Sequence, residues 1–148
     1  MATLFAKILC PIDFNPNAEV AFRTALQITG ESGGKILLLH VVPIPISAVG
    51  QPIVLEPFSG AEHDARARLD HLIKKETAAD RNIEVVVVSG EPAIEILRVA
   101  QTSAATAIVM ATHGRTGLGH LILGSVAERV VREAPCPVIT VRTTEKVK

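Results

Sequence analysis

Short unbroken apolar runs alternate along the chain with longer stretches in which apolar residues recur every three or four positions. The runs fall at residues 7–13, 36–41, 83–88, 107–110 and 137–142, and each reads as a buried strand. Between them, four sets of residues each share one helix face. They are Ala18, Ala21, Phe22, Ala25 and Ile28; Ala65, Leu69, Leu72 and Ile73; Ala93, Ile96, Leu97 and Ala100; and Ala127, Val130, Val131 and Ala134. Local chemistry marks the helix ends. Asn15 before Pro16 is an N-cap with proline in the first helical position, and Gly30 with Gly33 and Gly34 stops the first helix. The second helix, over 62–79, has Glu62 and Asp64 early and Lys74 and Lys75 late, as the helix dipole favours. Ser125 and Glu128 form S-x-x-E, the capping-box pattern, at the start of the last helix.

Strands alternating with helices predict an α/β fold with a parallel sheet. Runs without polar alternation predict that both faces of that sheet are covered. The 148 residues suffice for one full core and are read as a single domain, 1–148. Residues 36–55 carry no formal charge, which is membrane-spanning length. Pro43, Pro45 and Pro52 would leave backbone groups unpaired in lipid, so the segment reads as a strand followed by an apolar loop over 42–59. That loop is taken as a packed crossover in preference to a flap over a site.

Composition narrows the partners. Hydrophobic residues make up 48% and aromatic ones 3%, so the core is aliphatic. Fifteen basic residues balance fifteen acidic ones, which gives no electrostatic reason to expect nucleic acid or an anionic membrane as partner. The N-terminus lacks the pattern of a signal peptide, and a cytoplasmic location is expected. Cys10 and Cys136 are read as free thiols in a reducing compartment. His63 and His71, eight positions apart, read as solvated surface and not as a metal site.

The segment joining the fourth strand to the last helix holds the candidate chemistry. It is about a dozen residues long, where α/β connections usually take roughly 2–6. Gly114, Gly117, Gly119 and Gly124 let backbone approach a ligand closely. Ser125 stands at a helix N-terminus, where free N–H groups favour an anion, and Arg115 adds a fork of donors suited to phosphate. The glycines could equally serve only to turn the chain. Neither G-x-x-x-x-G-K-[ST] nor a complete G-x-G-x-x-G is present.

In this stretch the chain resembles the universal stress proteins, whose nucleotide-binding members carry G-x-x-G, nine residues, then G-[S/T]. Here Ala111-Thr112-His113-Gly114 is followed after nine residues by Gly124-Ser125, so the spacing matches and the first glycine is Ala111. The ending Ala134-Pro135-Cys136-Pro137-Val138 also resembles the family, whereas Thr106 stands where many relatives have Asp.

The resemblance implies a five-stranded parallel open sheet of order 3-2-1-4-5 with helices on both faces, Rossmann-like and similar to the adenine nucleotide alpha-hydrolase fold. That order reverses beside the first strand, and ligands bind beyond the carboxyl ends of strands at such a point. The implied ligand is ATP, or ADP or AMP, with or without Mg²⁺. Pro11 and Ile12 would wall the base, Asp13 would face the adenosine, and Val41 would offer backbone groups to the adenine. Met110 and Ala111 would line the ribose side, and Gly114, Arg115, Gly124, Ser125 and Val126 would surround the phosphates. His113 reads either as a phosphate contact or as a loop-pinning hydrogen bond. Asp13 has a second reading, as a loop anchor accepting backbone N–H groups.

The fifth strand would lie at the sheet edge. Its β-branched Val138, Ile139, Thr140 and Val141 predict a homodimer paired through that edge, as the family also implies. Three functions stay open: a nucleotide-binding regulatory module in the stress response, a slow ATP hydrolase, or a dimeric interaction protein that binds no nucleotide. The first is favoured, with no catalytic residue and no metal ligand assigned.

Overall fold

The structure, a computed structural model, describes residues 3–44, 58–77, 81–112 and 123–142. Its elements are β1 (Lys7–Pro11), α1 (Pro16–Ser32), β2 (Lys35–Pro43), α2 (Phe58–Glu76), β3 (Ile83–Gly90), α3 (Pro92–Thr102), β4 (Ala107–Ala111), α4 (Ser125–Glu133) and β5 (Val138–Val141). The strands pair in parallel in the order β3-β2-β1-β4-β5, as expected.

Strand periodicity divides the apolar runs between two cores. Ile8, Cys10, Ile36, Leu38 and Val109 face α1 and α2, where Phe22, Ala25, Leu69 and Leu72 close the layer. Leu9, Leu37, Leu39, Ile108 and Met110 face the other way, against Ile96, Val99, Ala127 and Val130 of α3 and α4. This is why the strands show no polar alternation. No helix among the described residues is long and apolar enough to cross a membrane.

Several helix ends depart from expectation. The Asn15 cap is present, its side chain accepting from the Asn17 N–H at 3.1 Å, but α1 runs through Gly30 and stops at Gly33, which has φ 75°. Helix α2 begins at Phe58, so Glu62 and Asp64 lie beyond its first turn and only Lys74 and Lys75 complement the dipole. The capping-box reading of α4 is overturned. Gly124 occupies the N-cap, Ser125 is already helical, no side chain caps the end, and Glu128 instead accepts from Arg132 at 2.8 Å. The inward face of α4 is also narrower than its pattern suggested, because Val131 is 45% exposed.

Thr106 has a structural role that the sequence did not disclose. Its hydroxyl accepts the Lys7 N–H and donates to the Lys7 carbonyl, both at 2.9 Å, while the Lys7 Nζ donates to the Ser103 carbonyl at 2.9 Å. The start of β1 is thereby tied to the turn after α3. Both cysteines are free, as expected. Burial pushes the Cys10 thiol up to about 12 and raises Cys136 as well, so neither is an activated nucleophile.

Two substitutions should move stability in opposite directions. A β-carbon at Gly34 would collide with the Phe5 backbone carbonyl, so Gly34→Ala should lose about 2–3 kcal/mol in urea unfolding. Ala104, held at φ 54°, should gain about 1 kcal/mol on replacement by Gly. A Gly34→Ala protein as stable as the parent would show that the two backbones separate freely.

Candidate functional site

The carboxyl ends of β1, β2 and β4 open into a cavity of about 400 Å³. Its shape follows from how β1 ends. The Ile12 N–H donates to the Leu39 carbonyl at 2.7 Å, which extends the pairing with β2 one step beyond the strand. The Ile12 carbonyl then accepts from His40 Nδ1 at 2.6 Å, so His40 satisfies a neighbour at the strand end. Asp13 lies two residues past the strand and accepts the Asn15 N–H at 2.9 Å. That bond fits its loop-anchor reading and leaves it on the cavity wall.

Between these residues Phe14 adopts φ 65°, a left-handed conformation that bulky side chains seldom take. Its ring lies 4.5 Å from the His40 imidazole, centroid to centroid, tilted by 39°. The guanidinium carbon of Arg68, reaching from α2, sits 3.9 Å from the Phe14 centroid. Both Phe14 and Arg68 line the cavity, and the sequence reading missed both. Phe14 was detectable as one of four aromatic residues, placed directly after the strand-end carboxylate. Arg68 carries no signal of its own, since on its helix it reads as one more solvated cation.

The opposite wall is built by β4 and α4. Thr112 donates its N–H to the Val141 carbonyl at 3.1 Å and accepts the Gly124 N–H at 2.6 Å. The start of α4 is thus fixed beside the end of β4. Among the described residues no side chain caps α4, and a helix N-terminus of this kind can receive an anion.

Of the residues singled out from the sequence, the cavity brings together Pro11, Ile12, Asp13, Val41, Met110, Ala111, Gly124, Ser125 and Val126. His113, Gly114 and Arg115 lie outside the described residues. The floor is apolar, with Leu39, Ile96 and Ala127 shared with the core. Asp13 and Arg68 supply opposite charges along the wall. Among the described residues, no group of three or more His, Cys, Asp or Glu side chains could hold a metal ion. An apolar slot with an acid, a cation and a helix N-terminus on its rim suits a ligand that is part heterocycle and part anion.

Ala111 is a regular β4 residue paired with Val141, and it is not among the residues of positive φ. Its alanine therefore imposes no backbone strain. Ala111→Gly should lower stability by about 0.5–1 kcal/mol in thermal unfolding, through added freedom in the unfolded chain. A gain in stability would mean that alanine is strained there.

Comparison with known proteins agrees with this geometry. The model of the universal stress protein family matches residues 4–142. A universal stress protein of Thermus aquaticus is 33% identical over 141 residues, covering 94% of this chain and all of the relative. The solved structure of MJ0577 from Methanocaldococcus jannaschii superposes with a TM-score of 0.81 at 27% identity, covering 97% of this chain and 100% of that one. Two solved universal stress proteins share the fold at lower identity. One, in complex with cAMP, has a TM-score of 0.67 at 21% and covers 93% of this chain and 97% of that one. The other, from Archaeoglobus fulgidus with dAMP, has a TM-score of 0.63 at 22% and covers 93% and 98%. By its sheet order, its cavity and a family match that spans nearly its whole length, this chain belongs to the universal stress protein family.

Proposed function

We propose that the protein binds an adenine nucleotide, ATP in particular, and acts as a regulatory module in the stress response. The observation that carries this reading is the cavity itself. It sits where the sheet order reverses, with Asp13 and Val41 on one side and the N-terminus of α4 on the other. The complexes of two family members with cAMP and dAMP support an adenine ligand. In this reading Pro11 and Ile12 wall the base, Asp13 and Val41 meet the adenosine, and Met110 and Ala111 flank the ribose. The phosphates lie against Gly124, Ser125 and Val126, with Gly114 and Arg115 of the preceding loop completing their surround.

Titration calorimetry with ATP, ADP, AMP and cyclic AMP, with and without Mg²⁺, tests this directly. Gly124→Val places bulk where backbone donors meet phosphate, and should weaken ATP at least about tenfold with the circular dichroism spectrum unchanged. Undiminished affinity would remove the phosphates from α4. Phosphate release in the same samples should stay negligible, since Asp13, the carboxylate on the described cavity wall, is assigned in this reading to the nucleoside and not to the terminal phosphate. Several turnovers per minute that vanish in Gly124→Val would make the protein a hydrolase.

We also propose a homodimer through β5. The strand lies at the sheet edge, and the Pro137 and Val141 carbonyls accept from Ile108 and Thr112 of the neighbouring strand side. Strand geometry then turns the backbone groups of Val138 and Thr140 outward, where a second copy could pair antiparallel with them. Thr140→Pro removes an outward donor while sparing the bonds to β4. Light scattering at micromolar concentration should show a dimer for the parent and a monomer for the variant. A monomeric parent would rule the interface out.

A further inference from the structure

We propose that Arg68, laid on the ring of Phe14, is the surface on which the base of the bound nucleotide stacks. The inference rests on the nucleotide reading above and adds the determinant of base recognition.

Arg68 is exposed and lines the cavity, and among the described residues it makes no hydrogen bond or ion pair. Other arginines of the α1–α2 layer are committed: Arg23 to Glu76, Arg66 to the Val85 carbonyl, Arg81 to the Leu26 carbonyl and Thr29. The partner of Arg68 is the Phe14 ring, 3.9 Å from its guanidinium carbon. A guanidinium is planar, and stacks on aromatic rings and on nucleobases alike. The guanidinium carbon lies over the Phe14 ring on one side, and the base is proposed to take the other.

Phe14 is held for this placement at φ 65°, by an Ile12 whose N–H and carbonyl are both bonded and by the Asp13–Asn15 turn. Strain of this kind at a cavity wall is a reason to look for function. The location also favours a base over a phosphate. Arg68 stands against the residue that follows the Asp13 carboxylate, which repels anions, whereas the anion-receptive wall is α4. The other rings available are few: the chain has four Phe and no Trp or Tyr.

Charge and stacking are separated by Arg68→Lys, which keeps the cation and loses the plane. Parent, Arg68→Ala, Arg68→Lys and Phe14→Leu would be titrated with ATP and with inorganic triphosphate. Stacking would be read from the loss of adenine absorbance near 260 nm, where a chain without Trp or Tyr interferes little. Both Arg68 variants should weaken ATP about tenfold, leave triphosphate within about twofold, and reduce the absorbance change. Phe14→Leu should act in the same direction, because the guanidinium loses its platform. Parental ATP affinity in Arg68→Lys would overturn the proposal, and so would an equal loss for triphosphate in Arg68→Ala. A parent that binds no ATP would instead defeat the nucleotide reading itself, and an ATP-binding parent matched by Arg68→Ala would defeat this inference alone.

Discussion

The hydrogen bonds to Ile12 fix the site. Its N–H continues the ladder to Leu39 at 2.7 Å, and its carbonyl is taken by His40 at 2.6 Å. Ile12 is buried, and a buried carbonyl left without a donor costs roughly 1–3 kcal/mol. The chain therefore leaves the sheet at one defined point. Asp13 turns it, Phe14 absorbs the turn in a left-handed conformation, and Asn15 caps the helix that follows. The first wall of the cavity, the start of α1 and the position of an aromatic ring all descend from one pinned residue.

A second pin stands across the cavity. Thr112 is buried and bonded to Val141 on one side and to Gly124 on the other, so the end of β4 and the start of α4 are held together at 2.6 Å. The two pins flank the place where the strand order reverses, between β1 and β4. Loop residues gain precision from such anchoring, because the sheet beneath them is buried on both faces and has little freedom to move. What each wall offers differs: side-chain charge and an aromatic ring at β1, the N-terminus of a helix at α4.

The alternation of apolar runs was enough to recover the strands, because a doubly covered sheet leaves no other reading for Leu37-Leu38-Leu39 or Val85-Val86-Val87-Val88. The strand order was legible only through the family resemblance carried by the spacing of Ala111, Gly114, Gly124 and Ser125. Capping was harder. S-x-x-E at Ser125 and Glu128 satisfied the pattern, yet Gly124 fits the cap position and Arg132, one turn on, draws Glu128 away. Arg68 and Thr106 were invisible for a related reason. Each acts on a partner far off in sequence, Phe14 for one and Lys7 for the other, and only the folded sheet brings those together.

Floor and rim of the cavity stand under different constraints. Leu39, Ile96, Ala127 and Ile12 belong to the packed core, where shrinking a side chain costs several kcal/mol and enlarging one forces strain. Asp13, Arg68 and Ser125 are exposed, and substitutions at such positions typically shift stability by only about half a kcal/mol. The sheet can therefore keep one slot while the rim changes what the slot accepts. Ala111 illustrates the boundary between the two: it sits on β4, lines the cavity and faces no conformational penalty. A substitution at that position alters the surface of the cavity and leaves the scaffold intact, so the rim can vary while the fold stays fixed.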